Sequence, residues 1–171
     1  MSRHQPDLRL QRSTPRRFTC FAPRLALLAI AGCLAGCESP LSPGELRVLV
    51  GAEARWAARN FPDYTIEMRQ ACFCPPEVTQ WARVEVVAGH VNRATLLGSG
   101  TDVSPDKLVY FRTAEDVFTF IRQANQDDAL EDVVAEYDPT LGFPTQVDFI
   151  PKSGLLDSGS SFYLRNAAAA P

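Results

Sequence analysis

The sequence predicts an α+β fold in which two helices pack on one face of an antiparallel sheet. Two segments repeat apolar residues with the period of a helix. Each is followed by segments in which apolar and polar residues alternate, as in a strand with one buried face. The predicted order is helix, three strands, helix, three strands. A chain of 171 residues has the length of a single domain.

The first predicted helix begins after Ser42 and ends at Asn60-Phe61-Pro62. Ser42 is placed as N-cap, Pro43 takes the first helical position, and Glu45 completes a capping box. The proline ends the helix because it disfavours the helical conformation of the preceding residue. Trp56 is assigned to core packing rather than to a ligand platform. The residues predicted to face the core are Leu46, Leu49, Val50, Trp56 and Ala57.

Three strands are predicted after this helix. The first alternates its two faces, with Tyr64, Ile66 and Met68 on one and Thr65, Glu67 and Arg69 on the other. The second runs from about Trp81 to Val87, and Trp81 shares a face with Arg83 and Glu85. A tight turn at Ala88-Gly89-His90-Val91 leads into the third, because the glycine supplies a positive φ. Residues 98–107 are polar and are predicted to form a loop.

The second half repeats this plan, which is compatible with a diverged duplication. Thr113-Ala114-Glu115-Asp116 opens a helix with a cap and two acids in its first turn. Its predicted core face is Val117, Phe120, Ile121 and Ala124. A solvated turn is expected at residues 127–132. Three strands follow, and their apolar residues are Val133, Ala135 and Tyr137, then Val147 and Phe149, then Phe162 and Leu164.

The N-terminal 36 residues differ in kind from the rest. Six arginines and one acid precede an uncharged apolar run at residues 25–36. A basic region, a short apolar core and small residues are the layout of a secretory signal peptide. The run is too short for a transmembrane helix, which needs about 20 apolar residues. Residues 1–36 are therefore predicted to be a signal peptide.

Leu34-Ala35-Gly36-Cys37 resembles the lipobox of bacterial lipoproteins. In those proteins the cysteine is lipidated, typically with palmitate, and becomes the mature N-terminus. Ile30-Ala31-Gly32-Cys33 is a second match; Cys37 is favoured because it leaves a longer apolar core. The resemblance implies a lipid anchor in a bacterial membrane, with the domain in the periplasm or on the cell surface.

Cleavage before Cys37 divides the chain and changes its charge. The predicted organisation is a signal peptide at 1–36, a lipidated tether at 37–42, one α+β domain at 43–166 and a disordered tail at 167–171. Removing six Arg and one Asp leaves 17 − 6 = 11 basic and 20 − 1 = 19 acidic residues, a net charge of −8. Because a domain with this net negative charge repels the phosphate backbone of nucleic acids, no nucleic-acid partner is expected. Attachment to the membrane is expected through the lipid.

Five segments of the domain form a recognisable set: Trp56, the strand from Tyr64 to Cys74, Val86-Val87-Ala88-Gly89-His90-Val91, Val117-Phe118 and Tyr137-Asp138-Pro139-Thr140-Leu141-Gly142-Phe143-Pro144. Together they resemble domain-of-unknown-function family 6174, a family of bacterial secreted proteins and lipoproteins. The segment from Tyr137 to Pro144 is the most specific, and the resemblance covers about residues 45–165. It implies an exported α+β domain and no known activity.

Cys72-Phe73-Cys74 is the most distinctive motif of the mature chain. Cys20 and Cys33 leave with the signal and Cys37 is acylated, so this pair remains in an oxidising compartment. A local disulfide at the end of the strand is the favoured interpretation. It needs a bend, because residues i and i+2 of an ideal strand lie about 6.6–6.8 Å apart.

Two other interpretations of this pair stay open. A strained disulfide tends to be oxidising, which allows a thiol–disulfide redox role. Two thiolates also suit a metal ion, which needs further ligands. His90, the one histidine of the mature chain, is a weak candidate, and Glu67 or Asp138 are possible carboxylate ligands.

No catalytic constellation is evident, and no cofactor is predicted. A single histidine in a turn gives Ser-His-Asp and Cys-His arrangements little to work with. We therefore expect a lipid-anchored envelope protein whose domain binds a protein or small ligand without enzymatic activity. The alternative is a redox or metal-handling lipoprotein that uses Cys72 and Cys74.

Overall fold

Six antiparallel strands form one open sheet in the computed structural model, which describes residues 39–153 and 159–170. The helices are α1 (Pro43–Ala57) and α2 (Ala114–Ala124), with a 3-10 helix (Pro105–Tyr110) before α2. The strands are β1 (Tyr64–Ala71), β2 (Ala82–Val87), β3 (His90–Leu96), β4 (Leu130–Tyr137), β5 (Pro144–Pro151) and β6 (Ser160–Ala169). The α+β class and the antiparallel sheet are confirmed, whereas the 3-10 helix was not predicted.

The strands lie in the order β3-β2-β1-β6-β5-β4, so the two three-stranded halves meet where β1 pairs with β6. In the first half the strand after the helix is central, and in the second half the strand after the helix is at the edge. Within each half, however, the strands are ordered third, second, first in the same direction, so the two halves share one strand order. This arrangement is compatible with the diverged duplication.

Both α-helices begin at the predicted caps. The Ser42 hydroxyl accepts from the Glu45 backbone N–H at 3.3 Å, and the Glu45 carboxylate accepts from the Ser42 N–H at 2.7 Å. Thr113 and Asp116 form the same reciprocal pair at the start of α2. Such boxes satisfy N–H groups that the first helical turn leaves without partners.

The buried face of α1 differs from the predicted one. Leu49 and Trp56 are buried as expected, but Val50 is 55% exposed and Ala57 is also exposed. Ala52 takes their place in the core. Each residue of a helix turns about 100°, so the residue next to a buried one points well away from the core. On α2, Phe118 is buried and Phe120 only half-buried.

Both helices cover the same face of the sheet. The Tyr64 ring of β1 lies 5.0 Å from the Trp56 ring of α1, and its hydroxyl accepts from the Ala114 N–H of α2 at 3.0 Å. A strand side chain points to one face only, so both helices must lie on that face. The core is between them and the inward residues of the strands. On the opposite face, which we call the open face, the described part of the chain places no α-helix.

Some predicted loop boundaries are wrong. The hairpin turn holds only Ala88 and Gly89, with φ of 50° and 77°, and His90 is already the first residue of β3. Glu131 and Asp132 lie in β4 rather than in the solvated turn. The predicted loop at residues 98–107 ends early, because the 3-10 helix starts at Pro105.

The ends of the domain extend beyond the predicted limits. Leu41 was assigned to the tether, but it is 2% exposed and packs in the core. The disordered tail is wrong for Ala167, Ala168 and Ala169, which belong to β6, and Tyr64 and Thr65 pair with the last two. Backbone hydrogen bonds order these residues without any apolar pattern. The signal peptide, both lipobox matches and Pro171 lie outside the described residues.

Candidate functional site

The structure joins Cys72 and Cys74 in a disulfide directly after β1, with their Cα atoms 5.3 Å apart. The chain therefore bends at this point, since an extended strand would hold the two Cα atoms farther apart. Phe73 between them is 102% exposed. The motif thus presents a phenylalanine ring to solvent on a short covalent loop.

His90 is remote from this disulfide. It is exposed and pairs with Val87 at the end of the sheet where β1 begins, which we call the Tyr64 end. The disulfide follows the other end of β1, which we call the Cys72 end. Eight residues of strand span about 24 Å from first to last. Among the described residues, no three His, Cys, Asp or Glu side chains are grouped to hold a metal ion.

The two carboxylates considered as metal ligands are engaged elsewhere. Asp138 accepts from the backbone N–H groups of Thr140 and Leu141, at 2.9 and 2.6 Å, and so caps the turn before β5. Glu67 lies on the open face among arginines. The structure therefore does not bring the candidate ligands together.

Glu67 is the centre of an ion-pair network on the open face. Its carboxylate accepts from Arg165 at 3.0 Å, from Asn166 at 2.9 Å and from Arg83 at 3.5 Å. Arg83 and Arg165 are the cross-strand partners of Glu67 on its two neighbouring strands. Only 8% of Glu67 is exposed, so the arginines and the amide screen the carboxylate from water.

A β-bulge explains why two consecutive residues reach the same carboxylate. The register of β1 with β6 shifts between Thr65 and Glu67, and Asn166 in the bulge has φ of 54°. Successive strand residues normally point to opposite faces, and a bulge suspends that alternation. Asparagine tolerates this left-handed conformation better than most residues. Arg165 and Asn166 therefore both point to the open face.

These contacts set the charge state of Glu67. Burial raises the pKa of the carboxyl, but the hydrogen bonds from Asn166 and Arg165 and the positive charge of Arg165 outweigh it. The pKa of Glu67 is therefore lowered from its ordinary value. Glu67 carries a full negative charge at neutral pH and holds the two arginines in place.

Beside Glu67 lies a second group, the arginine–aromatic cluster, which consists of Arg69, Trp81, Tyr163 and Arg165. The Arg165 guanidinium stands 4.0 Å from the centre of the Trp81 ring. The Arg69 guanidinium lies 4.5 Å from the Tyr163 ring and 5.5 Å from the Trp81 ring. Both cations are thus held against aromatic faces, where the ring quadrupole attracts them.

Arg69 differs from Arg165 in having no anionic partner. Within residues 39–153 and 159–170 it makes no ion pair, and its buried Nε has no hydrogen-bond acceptor. An uncompensated guanidinium is costly unless something satisfies its donors. Because Nε is buried, an incoming acceptor can reach only the terminal N–H groups of Arg69, which donate to no acceptor among the described residues.

Two hollows open beside these groups. One, of about 430 Å³, is lined by Arg69, Trp81 and Arg165 together with Thr79, Gln80 and Leu97. The other, of about 690 Å³, extends from Glu67 and Arg83 toward the Tyr64 end. The smaller hollow combines cations and an aromatic wall, which suits a ligand with an anionic group.

A different network ties α1, α2 and β1 together on the helical side. Glu115 accepts from Trp56 Nε1 at 2.8 Å, from Arg59 at 2.7 Å and from the Tyr64 hydroxyl at 2.5 Å. Burial and this bond to Glu115 raise the pKa of Tyr64. Burial also raises the pKa of Glu115, but its three donors outweigh that effect and lower it overall. Trp56 is 2% exposed, which confirms its predicted place in the core.

Sequence reasoning missed both networks, although some of their members were placed correctly. The alternation of β1 predicted that Glu67 and Arg69 face away from the core, and Trp81 was placed on the same side as Arg83. No local signal joins these residues to Tyr163, Arg165 and Asn166, which are about a hundred residues away in the chain. The pairing of β1 with β6 brings them together.

Residues 48–169 match the sequence profile of a family described as Family of unknown function (DUF6174). No curated protein and no solved structure matches the chain. Among the described residues, none of the helices has the length and apolar character needed to cross a membrane.

Proposed function

Because the chain belongs to the family of unknown function DUF6174, whose description names no activity, we propose its function from the site itself. The protein is a lipid-anchored cell-envelope protein whose domain is a non-enzymatic binding module. Its ligand carries an oxyanion, a carboxylate or a phosphate, and binds to the arginine–aromatic cluster on the open face.

The observation that carries this proposal is the state of Arg69. Its guanidinium lies 4.5 Å from the Tyr163 ring and 5.5 Å from the Trp81 ring and has no acidic partner among the described residues. A guanidinium presents its donors in a planar fork that matches carboxylate and phosphate oxygens. Because two rings already hold the side chain, little rotational freedom is lost when an anion binds.

The local charge supports an anionic ligand although the domain as a whole is acidic. Counting only the arginine–aromatic cluster and the Glu67 network beside it, Arg69, Arg83 and Arg165 against Glu67 give 3 − 1 = +2. The predicted mature chain carries −8. The net negative charge of the domain repels anions at long range, so an anionic ligand would be held by direct contact with the arginines of the cluster.

The residue types favour binding over catalysis. Arginine stays protonated throughout the physiological range, and tryptophan has only a ring N–H donor. General acid–base chemistry needs a group that exchanges protons near the working pH. The cluster provides charge and stacking surfaces, which hold a ligand without transforming it.

Binding of the purified full chain to inorganic phosphate and to a poly-glutamate peptide tests the proposal. We expect saturable binding of at least one probe, weakened about tenfold or more in Arg69→Gln, because a charge-assisted hydrogen bond contributes about 1.5–3 kcal/mol. Arg93→Gln is the matched control, since Arg93 lies on the same face but is already paired with Asp102 at 2.7 Å. Equal affinity of wild type and Arg69→Gln, or no binding of either probe, contradicts the proposal.

The lipid anchor is supported by the signal-peptide pattern and the lipobox resemblance. Cys37→Ala should abolish acylation of the N-terminus, read by mass spectrometry, and release the protein from the membrane fraction. Cys33→Ala is the control and should leave both unchanged. If Cys33→Ala alone abolishes acylation, the upstream lipobox match is the true one.

A further inference from the structure

We propose that the Cys72 end of the sheet lies against the lipid bilayer, with the Phe73 ring inserted at the level of the headgroups. This inference rests on the proposed lipid anchor at Cys37. It gives a role to Cys72-Phe73-Cys74, the motif that the oxyanion site does not use.

The first argument is the length of chain between the anchor and the folded domain. Leu41 is 2% exposed, and its backbone N–H donates to the Asn125 side chain at 3.1 Å, so the domain is already fixed at this residue. Leu41 follows Cys37 by four residues. Fully extended, four residues reach about 14 Å. The surface around Leu41 therefore stays within about that distance of the acylated cysteine.

The second argument is that Leu41 lies at the Cys72 end. Asn125 is the C-cap of α2. Two residues later, the backbone carbonyl of Asp127 accepts from the N–H of Leu130, the first residue of β4, at 3.1 Å. β1 is separated from β4 by three antiparallel pairings, β1 with β6, β6 with β5 and β5 with β4, so the two strands run in opposite directions. The start of β4 therefore lies at the same end of the sheet as the end of β1. Three strand spacings amount to about 14 Å. A bilayer that holds the acyl chains of Cys37 therefore lies close to Leu41 and, at the same end of the sheet, close to Phe73.

The third argument is the apolar surface at this end. Phe73 is 102% exposed, Val109 65% and Tyr110 42%. The Gln70 side chain donates to the Tyr110 carbonyl at 2.5 Å, which holds the 3-10 helix against the end of β1. Fully exposed aromatic rings are unfavourable in water, and aromatic side chains are favoured at the membrane interface.

The disulfide keeps Phe73 from folding back into its own domain. Cys72 and Cys74 restrain the backbone on both sides of the ring, with Cα atoms 5.3 Å apart. Because the ring is already held outward, it loses little conformational entropy when it enters the headgroup region of the bilayer. The loop is therefore suited to inserting a single apolar side chain.

The charges at this end indicate which lipids matter. The two lysines of the chain, Lys107 and Lys152, both lie here: Lys107 pairs with Glu77, and the Lys152 N–H donates to the Ala129 carbonyl at 2.9 Å. Asp127 and Asp128 in the turn before β4 oppose them. Arg69, three residues before Cys72, is a further cation at this end, and the phosphate of any phospholipid headgroup can pair with it, so docking should not require anionic lipid.

Fluorescence in reconstituted vesicles tests this orientation. The acylated full chain is inserted into phosphatidylcholine vesicles with or without brominated acyl chains, which quench nearby tryptophan. Phe73→Trp adds a reporter at the Cys72 end, and Val87→Trp adds one at the opposite end, where Val87 is 45% exposed. We expect bromine to quench most of the emission added by Phe73→Trp and none of that added by Val87→Trp. The native Trp56 and Trp81 also fluoresce, and their emission and quenching are measured in the parent chain and subtracted.

The outcomes separate this inference from the anchor. If the protein stays with the vesicles but the two added tryptophans are quenched equally or not at all, the orientation is wrong and the anchor stands. If the N-terminus carries no lipid and the protein does not co-sediment with vesicles, the anchor fails and the orientation fails with it. Circular dichroism of both variants checks that the fold is intact.

Discussion

Glu67 and Glu115 occupy opposite faces of the same sheet, and each is bound by three side-chain donors. The partners of Glu115 are Trp56, Tyr64 and Arg59, and the first two are 2% and 1% exposed. The partners of Glu67 are two half-exposed arginines and an asparagine beside open hollows. The Glu115 network therefore joins the helices to the sheet. The Glu67 network orders an exposed surface beside Arg69, which has no acidic partner among the described residues.

The difference shows how burial decides what a carboxylate network does. When the donors are buried, they have no water to turn to, and the carboxylate is needed for stability. When the donors reach solvent, the ion pair contributes little to stability and mainly fixes geometry. The same chemistry thus serves the fold on one face and the proposed binding site on the other.

The largest expected effect is the loss of stability in Glu115→Ala. Removing this carboxylate, whose side chain is 45% exposed, takes the acceptor from three donors, and of these Trp56 and Tyr64 are buried and Arg59 has a side chain only 10% exposed. We expect the free energy of unfolding to fall by about 3 kcal/mol. Urea denaturation measures it.

Glu67→Ala is the matched comparison on the open face and should cost about 1 kcal/mol, because Arg83 and Arg165 can turn to water. Equal losses in the two variants would contradict the assignment of one network to the fold and the other to the surface.

The next effect is on affinity. Glu67→Gln removes a negative charge beside the arginine–aromatic cluster and keeps the shape of the side chain. Oxyanion binding should therefore strengthen by about threefold at low salt, and less at high salt. Glu115→Gln, on the other face, should leave the affinity unchanged. Titration with inorganic phosphate measures both, and a weaker affinity in Glu67→Gln would indicate that Glu67 positions the arginines more than it neutralises them.

Acid should weaken both networks in the same direction. The pKa values of Glu67 and Glu115 are lowered in the folded state. A lowered folded-state pKa contributes stability that is fully present above the unfolded-state value and is lost as pH falls through the folded-state value. The free energy of unfolding should therefore decline as the pH drops below about 4.5.

Glu67→Gln and Glu115→Gln should each make that decline shallower, because each removes one group whose proton uptake differs between the folded and unfolded states. Thermal denaturation between pH 3 and pH 7 measures the slopes. A slope unchanged in both variants would place the acid sensitivity elsewhere.

The features predictable from sequence were those encoded locally. Ser42 and Thr113 were identified as caps because their partners stand three residues away, and the turn at Gly89 follows from the conformation that glycine permits. The faces of β1 followed from a period of two. Each of these depends on residues within one turn or one strand.

The features that escaped prediction depend on distant pairing. Arg165 meets Glu67 across 98 residues of sequence, and the bulge at Asn166 exists only because β6 lies beside β1. The alanines at 167–169 carry no apolar pattern, yet β1 supplies hydrogen bonds that order them. The register between β1 and β6, where the two halves of the sheet meet, depends on the packing of the whole core. No short sequence motif can therefore predict it.

The disulfide should contribute only modestly to stability. Its loop is so short that cross-linking removes little chain entropy from the unfolded state, about 1–2 kcal/mol in the loop-entropy model. Cys72→Ser/Cys74→Ser should therefore remain folded and bind phosphate like the parent chain. A thiol count on the mature chain should find no free thiol without reductant and two with it.

The same double variant separates a structural disulfide from a redox centre. If Phe73 needs the disulfide to stay outward, the double variant in the Phe73→Trp background should reduce quenching by brominated lipid while stability changes little. If the cysteines instead exchange electrons with a partner, single variants should trap mixed disulfides in envelope extracts, which a purely structural bond would not form. Two free thiols in the untreated protein would contradict the disulfide and the restrained Phe73 together.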